Sequence, residues 1–197
     1  MKTNLILIGG GGHCKSCIDV IETTGQFNIL GILDDEQKVG SELLGCKYIG
    51  TDNDISSYHD KNVEFLITVG QVLNSDKRKH LFKMVVDTGN RLATVISPSA
   101  YVSKWASIGK GTIVMHDVLI NVDAKIGDNC IINTKALVEH DSIISSHCHI
   151  STAAVINGNV NISEGTFFGS NAVSGHSVTA SAESFIKAGS CFKGNSE

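Results

Sequence analysis

A large apolar side chain returns at every sixth residue through the second half of the chain. The series runs unbroken through Val102, Ile108, Val114, Ile120, Ile126, Ile132, Val138, Ile144, Ile150, Ile156, Ile162 and Phe168. Four residues after each of these positions stands a small or slim residue, as at Ala106, Cys130 and Ala154. An α-helix repeats every 3.6 residues and a meander of hairpins needs turn signals about every 8–12 residues, so neither structure fits the pattern.

The repeat instead predicts a parallel β-helix of triangular cross-section. Each six-residue unit would form one short strand and one corner, with the large side chain inside and the small residue where the corner crowds inward. Three units would complete a coil, so that residues 18 apart stack in columns and each coil buries its core against its neighbours. The pattern weakens at Ser174 and Ala180 before it returns at Ile186 and Phe192, and we therefore expect the solenoid to fray there.

The part of the chain before Pro98, its only proline, has a different periodicity. Short apolar runs alternate there with stretches of helical spacing, which is typical of a small parallel sheet of Rossmann type. We predict an α/β, Rossmann-like domain over 1–97 and a β-helix domain over 98–197. The predicted strands of the first domain cover 5–8, 27–33, 64–69 and 92–96, and its predicted helices cover 13–23 and 75–88.

Charge and hydropathy exclude several classes of function. The net charge of −4 at pH 7 gives no basic footprint for a nucleic acid. No run approaches the ~20 apolar residues of a membrane span, and the apolar run at 5–8 meets glycines too early for a signal-peptide core. The cysteines lack the spacing of a disulfide framework, so we predict a cytoplasmic protein with reduced thiols. Cys14 and Cys17 form a C-x-x-C, but without the aromatic and proline context of a redox motif they are better interpreted as helix residues.

A glycine-rich loop, Gly9 to Gly12, follows the first predicted strand and opens a helix. Free N–H groups and the helix dipole favour a phosphate at such a place. The dinucleotide pattern G-x-G-x-x-G is met at Gly9 and Gly11, but Cys14 stands where the last glycine belongs. Asp34 and Asp35 end the next strand and suit ribose hydroxyls or a base edge. A nucleotide site, an NAD-linked oxidoreductase and a plain structural loop all remain open, although the domain is short for a full dinucleotide fold and shows no partner for hydride transfer.

The hexads resemble those of the hexapeptide-repeat acyltransferases, which form left-handed parallel β-helices. The whole chain resembles their NeuD and PglD type, the sugar acetyltransferases that carry an N-terminal Rossmann-like domain. The segments that carry the resemblance are Ile8-Gly-Gly-Gly-Gly-His13, Leu33-Asp34-Asp35, Asn133-Thr134, Val138-Glu139-His140-Asp141, Cys148-His149-Ile150-Ser151 and Asn157-Gly158-Asn159-Val160. The resemblance implies acetyl-CoA as co-substrate and a homotrimer whose active sites lie in grooves between the β-helices.

His140 is the candidate general base. An imidazole has an unperturbed pKa near 6.5, which suits proton removal at neutral pH. The six-residue register turns His140 away from the core and stacks it between Val122 and Gly158, where a glycine would leave room for substrate. The resemblance makes the matching histidine the base. Asp141 could orient the imidazole or stabilise its cation, as a carboxylate does in a triad.

The resemblance also implies the binding residues. On the coenzyme side it implies His149, Gly158 and Gly169, with the Gly158 N–H as the natural donor to the oxyanion. Asn133 matches a residue on the acceptor side. The positions implied for the nucleotide-linked sugar in the first domain are Gly9, Gly12, His13, Asp34, Asp35, Gly70 and Gln71.

Metal and covalent catalysis are not expected. His147, Cys148 and His149 look like a ligand cluster, but alternate residues of an extended segment face opposite ways, so Cys148 could not join the two histidines. Cys148 occupies a small inward position and is predicted to be buried and inert, which leaves direct attack within a ternary complex. His116 and His176 match no motif and are predicted to be surface residues.

These observations predict an acetyl-CoA-dependent N-acetyltransferase acting on a nucleotide-linked 4-amino-4,6-dideoxy sugar in surface-glycan biosynthesis. O-acetylation of a sialic acid, the NeuD-type activity, is the alternative within the family. A nucleotide-binding oligomer without catalysis and an NAD-linked oxidoreductase are alternatives of other classes. The chain ends at Phe192-Lys-Gly-Asn-Ser-Glu197 without the Gly-x-Pro-Ala-Lys segment that helps such chains hold coenzyme A. We therefore expect either a differently built and weaker coenzyme site or a truncated chain.

Overall fold

The computed structural model describes residues 2–59 and 62–194. Its first part is a six-stranded sheet in the order β3-β4-β2-β1-β5-β6, with all neighbours parallel except β3 and β4. The strands are β1 (Thr3–Ile8), β2 (Phe27–Leu33), β3 (Glu42–Leu43), β4 (Cys46–Gly50), β5 (Val63–Ile67) and β6 (Arg91–Leu92). The helices are α1 (Gly12–Thr24) and α2 (Asp76–Asp87), with 3-10 turns over Glu36–Lys38 and Asp52–Tyr58. The Rossmann-like expectation is confirmed, and β3 and β4 are additions that the apolar pattern did not predict.

The single strand predicted over 92–96 is two strands in two different sheets. Arg91–Leu92 pairs with β5, whereas Val95–Ile96 is the first strand of the solenoid and pairs with Ile113–Val114. The chain changes sheets between them because Ala93 N–H still bonds the Phe65 carbonyl while Val95 N–H already bonds the next coil. The solenoid thus begins before Pro98.

The second part is a parallel β-helix of two-residue strands. Its strands, β7 to β23, are Val95–Ile96, Tyr101–Val102, Ser107–Ile108, Ile113–Val114, Leu119–Ile120, Lys125–Ile126, Ile131–Ile132, Leu137–Val138, Ile143–Ile144, His149–Ile150, Val155–Ile156, Asn161–Ile162, Phe167–Phe168, Val173–Ser174, Thr179–Ala180, Phe185–Ile186 and Cys191–Phe192. They form three sheets, here called the first face (β7, β10, β13, β16, β19, β22), the second face (β8, β11, β14, β17, β20, β23) and the third face (β9, β12, β15, β18, β21). The predicted repeat is confirmed, and its inward side chains are buried from Val114 to Ile186.

The expected fraying at Ser174 and Ala180 does not occur. Both side chains are buried, strand β20 pairs with β17 and β23, and strand β21 pairs with β18. The backbone hydrogen bonds between coils persist because they do not depend on side-chain size. The last residues of the chain, 195–197, lie outside the described part, so the expectation about the C-terminal segment is not tested. None of the helices in the described ranges has the length and hydropathy that crossing a bilayer requires.

A left-handed backbone conformation at every sixth residue turns the chain at the corners. Positive φ recurs from Gly111 to Gly189, and most of these positions hold side chains other than glycine, such as Asp117 (φ 57°), Lys135 (φ 61°) and Ala153 (φ 54°). Such residues ordinarily avoid this region. Here the hydrogen bonds between coils impose the conformation on whatever residue is present.

The small inward residues of one corner column are also hydrogen-bond donors. Thr112, Cys130, Cys148 and Thr166 each donate through a hydroxyl or thiol to the carbonyl 15 residues ahead, at 2.8, 3.2, 3.2 and 3.1 Å. Each bond supplies a side-chain donor to a backbone carbonyl at a later corner. The predicted burial of Cys148 is confirmed, and its thiol acts as a structural donor.

The first domain packs on the outer side of the first face. Helix α1 buries Cys14 and Cys17 in one apolar cluster with Ile113 and Ile131, which agrees with their interpretation as helix residues. Burial raises the pKa of both thiols, that of Cys14 to about 11. His116 joins the two domains, because its Nε2 lies 3.0 Å from Asp19 Oδ2 of α1. His116, predicted to be a surface residue, is partly exposed at this contact. His176 is exposed, as predicted.

Helix α2 runs along the corner between the third and first faces. Arg78, which is 1% exposed, donates from Nη2 to the Asn129 carbonyl and side-chain oxygen, at 3.0 and 2.6 Å. Further along the corner, the Phe82 ring meets His147 edge-on at 5.1 Å between centroids. Lys79 Nζ lies 2.8 Å from Glu164 Oε1. Contacts with successive coils therefore fix the first domain along the solenoid axis.

Candidate active site

His140 lies at the corner between the second and third faces, just after β14. Its Nδ1 is 2.7 Å from Asp141 Oδ2, and more than half of each side chain is exposed. Asp141 reaches the imidazole because it occupies the left-handed corner position, with φ 60°. The hydrogen bond to Asp141 raises the pKa of His140 above its usual value, partly offset by desolvation. With Nδ1 donating to the carboxylate, Nε2 of the neutral ring is free to accept a proton.

Gly158 stacks directly against the His140 ring, as the 18-residue column predicted. A Cβ on Gly158 would lie 2.8 Å from both Cε1 and Nε2 of His140, so only glycine fits. At His140 the corner N–H bonds the preceding Glu139 Oε2 at 3.2 Å. At Gly158 the preceding Asn157 instead turns its Nδ2 to the Ser174 carbonyl at 2.6 Å. Within the described part of the chain, the Gly158 N–H is left without an acceptor beside Nε2 of the candidate base.

A second group of predicted residues meets at the junction of the two domains. This junction cluster consists of His13, Gly70, Gln71, Asn133 and His149. His149 Nδ1 lies 2.6 Å from the Gln71 carbonyl, and its Nε2 lies 3.1 Å from Asn133 Nδ2. The rings of His13 and His149 are 6.4 Å apart between centroids, and the His13 Cβ lies within 3.5 Å of where a Gly70 Cβ would be.

Burial keeps both histidines of the junction cluster neutral. Desolvation lowers the pKa of His149 to about 4, opposed by its hydrogen bond to Gln71, and lowers that of His13 to about 3 with a further contribution from Arg78. His13 Nε2 and Gln71 Oε1 are buried and have no hydrogen-bond partner among the residues that the structure describes. Such atoms are costly unless a water or a ligand satisfies them.

The glycine loop is held by Asp34. Its Oδ2 accepts the Gly10 N–H at 2.6 Å and Lys38 Nζ at 2.8 Å. Burial alone would raise the pKa of Asp34, but the bonds from Lys38 and the backbone N–H groups hold it below its usual value. Asp34 is thus engaged within the protein, whereas Asp35 is 76% exposed. Lys38, which we did not predict, is a cation at the mouth of this loop, and its i,i+4 spacing from Asp34 was the available signal.

The glycines of this loop differ in their surroundings. A Cβ on Gly9 would lie 2.3 Å from Val69 Cγ2, and Gly9 has φ +97°. Nothing lies within 4 Å of a Cβ on Gly11 or Gly12, at the N-terminus of α1. The outer half of the loop is therefore open to a ligand.

Gly169 is the remaining residue predicted on the coenzyme side, and close packing explains why a glycine is needed there. Its N–H bonds the Ile186 carbonyl at 2.9 Å, and a Cβ would lie 2.5 Å from the Ala188 nitrogen. The ligand cluster considered at His147 to His149 does not form, because His147 Nδ1 faces Asn129 and His149 faces Gln71. Among the described residues, no group of three or more His, Cys, Asp or Glu side chains is placed to hold a metal.

Within one chain, the structure does not bring the His140 corner and the junction cluster together. His140 lies at the corner between the second and third faces, whereas His149 projects from the first face. In a triangular prism, that corner and that face are on opposite sides. The junction cluster and the glycine loop are therefore separated from the His140 corner by the width of the solenoid.

Comparisons with known proteins agree with both halves of the fold. The family model described as the PglD N-terminal domain matches residues 4–85. The UDP-N-acetylbacillosamine N-acetyltransferase of Bacillus subtilis (strain 168) is 36% identical over 117 residues, which are 57% of this chain and 51% of that protein. The match thus spans about half the length of this curated relative.

Two solved structures resemble nearly the whole chain. The acetyltransferase domain of PglB from Neisseria gonorrhoeae FA1090, in complex with acetyl coenzyme A, is 28% identical with a TM-score of 0.89, covering 98% of this chain and 93% of that one. PerB from Caulobacter crescentus, in complex with CoA and GDP-perosamine, is 31% identical with a TM-score of 0.89, covering 98% and 89%.

Proposed function

Because the chain belongs to the family of PglD-type sugar acetyltransferases, we propose that it transfers an acetyl group from acetyl-CoA to the amine of a nucleotide-linked 4-amino-4,6-dideoxy sugar. One relative is named for a UDP-linked sugar, and another was solved with a GDP-linked amino sugar. UDP and GDP are therefore the two candidate nucleotides of the acceptor, and such a product suits surface-glycan biosynthesis.

The observation that carries the proposal is His140 stacked on Gly158 with Asp141 at its other ring nitrogen. Nε2 of His140 takes a proton from the sugar amine as the amine nitrogen attacks the thioester carbonyl. The carbonyl oxygen becomes an oxyanion, to which the Gly158 N–H donates. The tetrahedral intermediate then collapses and the C–S bond breaks. The CoA thiolate leaves and takes up the proton that His140 had accepted. Asp141 stabilises the imidazolium through Nδ1.

We place the complete active site between two copies of the chain. The His140 corner of one copy would face the glycine loop and junction cluster of another, because a single chain keeps them on opposite sides. The outer column of the second face, which adjoins the His140 corner, supports such an assembly. This column runs through Tyr101, Leu119, Leu137, Val155 and Val173 to Cys191. All six side chains are apolar, and Tyr101 (60%) and Val173 (38%) are among those exposed. We expect a homotrimer, in line with the resemblance.

The remaining binding assignments follow from this arrangement. Gly12, Asp35 and Lys38 would take the nucleotide and its phosphates, while Gly9 and Asp34 hold the loop in shape. His13, Gly70, Gln71 and Asn133 would line the sugar side, and Gly158 and Gly169 the coenzyme side. Cys130 and Cys148 donate as thiols, which supports a reducing compartment such as the cytoplasm.

Release of the CoA thiol from acetyl-CoA tests the activity. A panel of UDP- and GDP-linked 4-amino sugars, with free sialic acids as the O-acetyl alternative, identifies the acceptor. We expect turnover with a nucleotide-linked amino sugar and a loss of about 100-fold or more in kcat for His140→Ala. His176→Ala is the matched control, since His176 occupies the same corner column two coils away. Unchanged turnover in His140→Ala would refute the base assignment, and turnover of sialic acid alone would select the alternative.

Mixed oligomers test the shared site. His140→Ala chains should be nearly inactive alone, and Asn133→Ala chains should keep only about a tenth of the activity. Mixed assemblies should be more active than either, because some sites combine one intact corner with one intact junction cluster. Size measurement in solution gives the number of copies. A mixture no more active than its components would place both groups in one chain's site.

A further inference from the structure

The junction cluster contains a chain of hydrogen bonds whose direction is fixed from both ends. At one end, the Gln71 carbonyl can only accept, so the proton between it and His149 belongs to Nδ1, at 2.6 Å. At the other end, the Thr134 N–H can only donate, and it bonds Asn133 Oδ1 at 2.8 Å. The Asn133 amide is thereby oriented with its Nδ2 toward His149.

These two constraints meet at His149 Nε2. A neutral imidazole with a proton on Nδ1 has only a lone pair on Nε2, which accepts from Asn133 Nδ2 at 3.1 Å. His149 is 6% exposed and stays neutral because burial lowers its pKa to about 4. The ring cannot donate to a substrate oxygen from either nitrogen, since Nδ1–H is bonded to Gln71 and Nε2 carries no proton.

We propose that His149 is a positioning residue for Asn133, and that the second amide hydrogen of Asn133 is the group that donates to an oxygen of the acceptor sugar. This inference rests on the proposed function. An amide nitrogen carries two hydrogens, and among the described residues only His149 takes one of them. Asn133 is partly exposed, whereas His149 is buried. The role differs from the direct coenzyme contact that the resemblance implied for His149.

The surroundings of His149 support a fixed ring. The Phe167 ring packs edge-on against it at 5.2 Å between centroids, and Phe185 stacks on Phe167 at 5.2 Å. His13 lies on another side at 6.4 Å. Arg78 of α2 is close enough for its positive charge to disfavour protonation of either histidine. The ring is thus held in one orientation and one tautomer.

A double-mutant cycle in acetyl transfer separates positioning from direct contact. Asn133→Ala should lower kcat/KM by about tenfold through loss of one donor. His149→Leu should lower it by a similar factor, and the double variant should lose little more, because both changes remove the same hydrogen bond to substrate. His149→Gln should restore most of the activity, since glutamine can donate to the Gln71 carbonyl and accept from Asn133. Losses that multiply in the double variant, or no rescue by glutamine, would overturn the inference.

A spectroscopic measurement tests the relay independently of turnover. The imidazole nitrogen shifts of His149 in ¹⁵N-labelled protein should show a protonated Nδ1 and an unprotonated Nε2 from pH 5 to 8, and Asn133→Ala should not change the tautomer. A protonated Nε2 would contradict the inference. If the wild-type chain failed to transfer acetyl groups while the tautomer was as expected, the proposed function alone would fall.

Discussion

His140 is exposed, and Asp141 is the neighbour that affects its ionisation most. Because the hydrogen bond that His140 donates to Asp141 is the first cause of its raised pKa, that carboxylate has two opposing effects on the rate. It makes His140 a stronger base. It also keeps the imidazole protonated up to a higher pH, and a protonated ring cannot accept a further proton.

Replacing Asp141 by Asn should therefore change the pH dependence in a defined direction. The pKa of His140 falls when the carboxylate is removed, so the acid limb of kcat/KM should move to lower pH. The plateau should drop by roughly 10- to 100-fold, since the ring loses its orienting acceptor and becomes a weaker base. A pH–rate profile of both proteins measures the two effects. An acid limb that stays in place would show that Asp141 does not control the base.

Much of the His140 site could be predicted from the sequence. The 18-residue column placed Gly158 against His140 because the stacking of a solenoid is a local, periodic property. The junction cluster could not be found in this way. His149 meets Gln71 across 78 residues of sequence, and no periodicity connects a loop of the first domain to a strand of the first face. Only the resemblance indicated those residues.

At the scale of the elements, each residue of the corner column must be both small and a hydrogen-bond donor. The sequence pattern indicated that Thr112, Cys130, Cys148 and Thr166 must be small. It did not indicate that each must donate a hydrogen bond, because that requirement depends on a carbonyl from the following corner.

Cys148 allows these two requirements to be separated. Cys148→Ala keeps a small side chain but leaves the Ser163 carbonyl without its donor, whereas Cys148→Ser keeps a donor. We expect the serine variant to be more stable than the alanine variant by about 1 kcal/mol in free energy of unfolding. Urea denaturation measures the difference. Equal stability, or a more stable alanine variant, would mean that size alone governs this column.

The stability of the whole molecule depends on pH, because its domain junction contains neutral, buried imidazoles. In the folded protein the pKa of His149 is about 4 and that of His13 about 3, whereas in the unfolded chain both are near 6.5. Below pH 6.5 the unfolded chain binds protons that the folded protein does not. Acid therefore favours unfolding of the junction.

The free energy of unfolding should accordingly fall as the pH drops from about 6.5 toward 4. The slope contributed by His149 approaches about 1.4 kcal/mol per pH unit once its unfolded form is fully protonated. His149→Gln should have a shallower slope between pH 7 and 5, where few carboxylates titrate. Chemical denaturation at a series of pH values checks this, and parallel curves for the two proteins would contradict it.

The left-handed corners also determine how readily such a molecule can acquire new chemistry. The cost of the unusual backbone conformation is met by the hydrogen bonds between coils, and aspartate, lysine, histidine, alanine, serine and glutamate all occupy these positions. Corner side chains are consequently interchangeable without a change of backbone, on a lattice whose coils are spaced by about 4.8 Å. One substitution can place a new functional group at a known coordinate, which makes the solenoid well suited to divergence among acceptor substrates and to design.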